Sequence, residues 1–273
     1  MRQPPSLARL LASAAATAIL AASLGGCQTM SDITGSISSK AQASPNPGSA
    51  SDADPRRSVE VYGERYRANP KDADAALRYG QALRATGQRA QAVAVFEQAT
   101  IAHSGNKALL AGYGRALADN GNFQRAFDVL TRAHSPDNPD WRILSVQGTA
   151  LDQLGRHEEA RRYYASALQI VPEEPSVLSN LGLSYVLSKE LPKAEETLRR
   201  AHASTRADAR VRQNLGLAVG LQGRFAEAEG IVKADLPAEE AAANVAYLKQ
   251  MLARKDNPRG GGTVPVAALN RPD

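Results

Sequence analysis

The sequence predicts an all-α fold: an open array of five tandem helix pairs, with a lone helix before it and another after it. Three observations carry that prediction. Close to a fifth of the 273 residues are alanine, against four Phe and one Trp. Alanine is the strongest helix former and the smallest side chain that still packs, so helices built from it approach one another closely. Gly80, Gly114, Gly148, Gly182 and Gly216 recur every 34 residues, and Ala92, Ala126, Ala160, Ala194 and Ala228 follow in the same register. A fixed period of that length marks stacked units, each burying its apolar face against the next.

Residues 1–26 read as a removable leader. Arg2 and Arg9 give it a basic start, and Leu10–Leu24 is a run of 15 residues without a charge. That is shorter than the roughly 20 residues a spanning helix needs and matches a signal-peptide apolar region. The run ends in Leu24-Gly25-Gly26-Cys27, which resembles a bacterial lipobox: an aliphatic residue, two small residues, then cysteine. The resemblance implies diacylation of the Cys27 thiol, cleavage between Gly26 and Cys27, and stable anchoring through two or three acyl chains. Cys27 is the only cysteine, which excludes an intramolecular disulfide and any multi-cysteine metal site. In the Gram-negative sorting rule the residue after the lipidated cysteine sets the destination, and Gln28 points to the outer membrane. Loss of the leader lowers the net charge from +5 to +3, so the basicity implies no nucleic-acid partner.

Lipidated Cys27 and the stretch to residue 56 form the next segment, rich in Ser and Pro and free of aromatic residues. It buries too little apolar area to offset its ordering entropy and reads as a flexible tether. Residues 57–68 follow as a lone helix: the repeat register, extended backwards, puts Tyr62 at a core position and Pro70 at a closing position.

Five units span 73–106, 107–140, 141–174, 175–208 and 209–242 without insertion. In the first, helix A covers Asp74–Thr86 and helix B covers Arg89–His103. The first glycine of each unit permits close helix approach. The second, at Gly87, Gly121, Gly155 and Gly223, supplies a left-handed turn, with Lys189 in its place in the fourth unit. Phe96, Leu130, Tyr164, Leu198 and Val232 fill the core. A further alanine recurs at Ala99, Ala133, Ala167 and Ala201, and Asp235 departs from it. The 34-residue pattern resembles the tetratricopeptide repeat, which implies a right-handed α-solenoid. Ala238–Arg254 carries Ala242, Val245, Leu248 and Leu252 at helical spacing and reads as a capping helix. Residues 255–273 read as a disordered tail.

No catalytic constellation accompanies the repeats. His103, His134, His157 and His202 fall in different units at different positions and read as solvated side chains. His157-Glu158-Glu159 lacks the second histidine of a metalloprotease motif. Arg161-Arg162 and Arg199-Arg200 read as solvated helix faces. The sequence calls for no metal and no cofactor, and for a binding module in place of an enzyme.

The tetratricopeptide resemblance implies that the first helix of each unit lines a concave, partner-binding face. Carried onto this chain, it points to Gln81, Arg84, Arg115, Asp119, Thr149 and Asp152 as a polar stretch. In units four and five it points to Leu183, Val186, Leu187, Leu217 and Leu221 as an apolar patch suited to a helix or an extended peptide. Two other segments compete for that patch: the 238–254 helix and Thr263–Leu269 of the tail. Taken whole, the signal, tether and five repeats resemble the small lipoproteins of the tight-adherence (Flp-type) pilus assembly system. That implies an outer-membrane lipoprotein facing the periplasm whose protein partner is a secretin or another pilus or secretion component. A pilotin-like lipoprotein of another type IV pilus or secretion system, and a scaffold for cell-envelope biogenesis enzymes, are the alternative readings.

Overall fold

The computed structural model describes residues 55–135 and 137–256. The leader, Gly26, Cys27, the tether up to Asp54, Pro136 and the tail from Asn257 lie outside the described residues. Twelve helices make up the described chain: α1 Pro55–Ala68, α2 Ala73–Ala85, α3 Arg89–Ala102, α4 Lys107–Asp119, α5 Phe123–Thr131, α6 Trp141–Gln153, α7 His157–Ile170, α8 Pro175–Leu187, α9 Leu191–His202, α10 Ala209–Leu221, α11 Phe225–Val232 and α12 Ala238–Asp256. The fold is all-α, a solenoid of tandem helix pairs. Helix α1 begins at Pro55, within the expected tether, and α12 runs two residues past its expected end.

Each first helix starts behind a residue that recurs every 34 positions: Asp72, Asn106, Asp140, Glu174 and Asp208. Four of these side chains accept hydrogen bonds from the backbone N–H groups that open the helix, for example Asp208 Oδ1 from Val211 N at 3.0 Å. In the fourth unit Glu174 makes no such bond, and Pro175 opens the helix with φ already set. The second helices have no side-chain cap.

The periodic glycines and the core residues are two halves of one contact. A Cβ on Gly80 would lie 2.5 Å from the Phe96 ring, and one on Gly148 would lie 2.5 Å from the Tyr164 ring. Leu130, Leu198 and Val232 stand in the same relation to Gly114, Gly182 and Gly216. The second helix thus drops its large residue onto bare backbone of the first. The periodic alanines beside these residues are buried in every unit. The second glycine has positive φ in four units, and Lys189 takes the same conformation at φ 63°.

Neighbouring first helices pack together along the array: α2 on α4, α4 on α6, α6 on α8, α8 on α10, and α10 on α12. Successive second helices do not pack together in this way. The row of first helices is therefore the tight, inner side of the array, and the second helices fan out on the other. Helix α1 packs on α2 as a second helix would. Tyr62, however, is only half-buried, and Val59 and Tyr66 make the core contacts, with Tyr66 stacked on Tyr79 at 5.5 Å. In a full unit that core residue sits on the first helix before it; α1 is the first described element. Helix α12 packs on α10 and α11. On its packed side Ala241 is buried and Val245, Leu248 and Leu252 are half-buried, while Ala242 is exposed. Val245, Leu248 and Leu252 lie on the packed side as expected, with Leu248 seated on Gly220, and only the alanine differs: Ala241 is the buried one in place of Ala242.

Candidate protein-binding face

The inner row of first helices presents two stretches of different chemistry. In units one to three it is polar. Gln81 is exposed, and Arg84 Nε donates to Asp119 Oδ2 at 2.6 Å across the joint between α2 and α4. Two of the expected partner contacts thus hold each other. The pair is part-buried, with the Arg84 side chain 25% and the Asp119 side chain 38% exposed.

Arg115 lies between them and the third unit. It is half-buried and makes no hydrogen bond or ion pair among the described residues. Burial pushes its guanidinium down from the usual range, as do the positive charges of Arg84 and Arg142, against Asp140 and Asp119. Both carboxylates are otherwise engaged: Asp119 accepts from Arg84, and Asp140 caps α6 by accepting from Arg142 N at 2.8 Å. The Arg142 side chain lies over the Trp141 ring at 4.4 Å.

Asp152 is not on the open face. It is 7% exposed, and its carboxylate accepts from Tyr164 Oη at 2.8 Å and Ser184 Oγ at 2.7 Å, with His157 Nδ1 at 2.8 Å. Burial and the Asp152 charge push the Tyr164 phenol well above its ordinary value. Thr149 turns inward too, donating to the Ser145 carbonyl at 3.1 Å. The reason is Tyr164: the other units place Phe, Leu or Val at this core position, and only the third buries a hydroxyl that needs an acceptor. That single Tyr was the sequence signal for the Asp152 contact. His157 is accordingly a structural donor, not a solvated side chain. His134 is also part-buried, with Nε2 at 3.2 Å from Gln147 Oε1.

In units four and five the row is aliphatic. Val186 is half-buried and packs against the cluster of Leu198, Leu215 and Val219. Part of this side chain is thus turned to the neighbouring first helix. Leu183, Leu187, Leu217 and Leu221 join no core cluster, and Leu187 is 36% exposed. Helix α12 has α10 and α11 as its packing partners, so it does not claim Leu183 and Leu187 on α8. Thr263–Leu269, the other expected competitor, lies outside the described residues.

Polar contacts inside this row were legible but unused. Asn180 Nδ2 donates to Ser145 Oγ at 3.0 Å, and Asn214 Nδ2 donates to Ser179 Oγ at 2.9 Å. Each pair spans one period plus one residue, so the two contacts repeat the same Ser–Asn relation across successive joints. The basic pairs on the second helices are not free either: Arg161 donates to Ser188 Oγ at 2.9 Å and lies over the Tyr185 ring, and Arg199 joins Glu195 and Glu227. An outer groove between α3, α4 and α5 holds Glu97, Tyr113 and Arg125, which bond to one another. Among the described residues, no cluster of three or more His, Cys, Asp or Glu is placed to hold a metal ion.

Two family models for the tetratricopeptide repeat match the chain, over residues 80–140 and 151–217. The units are tetratricopeptide repeats. The tetratricopeptide array is 24% identical over 131 residues to the BBSome complex member BBS4 of Bos taurus, a match that covers 48% of this chain and 25% of that protein. A chain of the APC/C Cut9–Hcn1 hetero-tetramer superposes with a TM-score of 0.62 at 18% identity, over 77% of this chain and 42% of that one. PilW, described as a widely conserved type IV pilus biogenesis factor, gives 0.63 at 18% identity, over 71% of this chain and 92% of PilW. This chain spans a quarter of the curated relative it matches and less than half of the Cut9–Hcn1 chain. The structural likenesses are likenesses of fold.

Proposed function

We propose that this chain is an envelope adaptor, held to the outer membrane by lipid on Cys27 and facing the periplasm, whose tetratricopeptide array captures a protein partner. The carrying observation is the inner face itself. It ends in four leucines outside every core cluster and contains an arginine that bonds to no partner among the described residues, which is the surface of a protein that binds another. The order of lipobox, tether and repeats supports placing it in a tight-adherence (Flp) pilus assembly machine, as a TadD-like lipoprotein acting on a secretin or another pilus or secretion component. A second reading, an adaptor of another type IV pilus system, is prompted by the likeness to PilW over nearly the whole of that chain.

The test is a photo-crosslinking residue at Leu187 in living cells, with the adduct identified by mass. A secretin or pilus component in the adduct supports the proposal. An adduct with a cell-wall hydrolase, or no adduct, overturns the pilus assignment. The anchor is tested apart from the partner: Cys27→Ser should leave an uncleaved precursor without an acyl label. Normal outer-membrane fractionation of that variant would show the lipobox reading to be wrong.

A further inference from the structure

A helix that closes a repeat array normally shows solvent a polar outer face, because no further unit covers it. Helix α12 departs from that. Its packed side is turned to α10 and α11, and the remainder of the helix faces outward. On that outer side Tyr247 is 63% exposed, and Met251, one turn further on, is exposed as well. The other exposed large apolar side chains among the described residues stand singly. Glu240, Ala243, Tyr247, Met251 and, by register, Arg254 follow one another at spacings of three or four residues. Such spacings bring them to one face, along about 21 Å of helix.

The order of these residues is self-complementary. Tyr247 stands midway, seven residues from Glu240 and from Arg254, and four from Ala243 and from Met251. Laid antiparallel on a second copy of itself, the stripe sets Tyr247 on Tyr247, Met251 on the small Ala243, and Glu240 beside Arg254. The last two contacts occur twice, once on each side of the centre. Laid parallel, the stripe would set Glu240 on Glu240 and Arg254 on Arg254, and like charges repel.

We propose that α12 is a pairing helix, through which two copies of this chain associate antiparallel about a twofold axis at Tyr247. The charges select both the occupant and its direction. Thr263–Leu269, the apolar segment that follows the helix in sequence, carries no charge and would leave Glu240 and Arg254 unanswered. One pair of 19-residue helices is a small interface, so the association is weak in dilute solution and gains from holding the copies close together. Pairing sets two inner faces on one assembly. The inference is independent of the adaptor reading: it concerns how copies assemble, whichever protein the inner face captures.

Thiol crosslinking of the full chain in cells tests it, with the native chain, which has Cys27 alone, as background. Mild oxidation should join copies carrying Tyr247→Cys into a covalent dimer. Ala243→Cys alone should stay at background, since an antiparallel pair holds those two positions about 12 Å apart along the helices, beyond the reach of a disulfide. Co-expressed Ala243→Cys and Met251→Cys chains should join. Glu240→Lys should cut the Tyr247→Cys dimer yield about fivefold, and Arg254→Glu added to it should restore the yield, because the charges are then exchanged rather than opposed. Circular dichroism of each purified variant checks that the array stays helical, and the rescue separates pairing from folding. No Tyr247→Cys dimer above background, an Ala243→Cys dimer of equal yield, or failure of Arg254→Glu to rescue Glu240→Lys overturns the proposal. So does a Tyr247→Cys dimer that forms only once residues 257–273 are deleted, which would assign the stripe to the tail.

Discussion

Gly148 and Gly87 are both periodic glycines, and they are glycine for different reasons. At Gly148 the space is taken: a Cβ would meet the Tyr164 ring at 2.5 Å. At Gly87 nothing lies within 4 Å, but φ is 73°. Gly148→Ala should therefore cost about 1–3 kcal/mol through overpacking. Gly87→Ala should cost about 1 kcal/mol through the backbone alone. Urea titrations of the two variants check the order, with midpoints shifted and slopes unchanged. Asp152 makes the same point for polar residues. Asp152→Ala strips the acceptor from Tyr164, Ser184 and His157 at once, and should cost about 2–3 kcal/mol without touching partner capture. Glycine spacing was legible because each unit repeats it. The Asp152 contact was missed because its one signal, the Tyr164 hydroxyl, occurs in one unit and stands outside the repeat.

Helix joints differ along the array, and their strength follows from what crosses them. Between α9 and α11, Glu195 takes hydrogen bonds from Arg199 and Arg224, and Gln222 donates at 2.8 Å. Burial alone would raise the Glu195 carboxyl, yet the donors from Arg224, Arg199 and Gln222 bring it down to about 2. The folded state therefore holds this carboxylate charged where the unfolded chain would protonate it. Its stabilisation is complete above the ordinary carboxylate range and fades as pH falls from about 5 towards 2. Thermal melts across that range should show a loss that Glu195→Gln reduces. Helix starts offer a second lever: Asp208→Ala removes the cap on α10 and should cost about 1 kcal/mol in the same melts. Helices and their order were legible because hydrophobic period, glycine and alanine agreed at every unit. The caps at Asp72, Asn106, Asp140 and Asp208 follow the same 34-residue spacing and could have fixed the helix starts one residue earlier than expected. On α12 the spacing of Val245, Leu248 and Leu252 was legible, but the choice of alanine was not: three adjacent alanines, Ala241–Ala243, give no contrast, and only Ala241 is buried.

Across the whole array, stability and recognition reside on different surfaces of the same helices, and that separation can be tested. A repeat array is held by each unit's contact with its neighbours, so a charge placed in a joint weakens the units on both sides of it. Leu215 is 1% exposed and packs with Leu198 and Val219, between the fourth unit and the fifth. Leu183 and Leu217 lie on the same two first helices, half-buried, but outside every core cluster. Leu215→Asp should thus cost several kcal/mol and collapse the helical signal of the C-terminal units. Leu183→Asp combined with Leu217→Asp should leave helicity intact and shift the unfolding midpoint far less. The double variant should nonetheless lose the adduct formed at Leu187, because a partner's apolar side chains would then meet two carboxylates on the inner face. Circular dichroism and crosslinking on the same preparations separate the two effects. A double variant that folds and still crosslinks as well as the native chain would move the binding surface away from α8 and α10. The polar stretch around Arg115 would then have to carry recognition without an aliphatic anchor, and salt should dissociate the complex far more steeply.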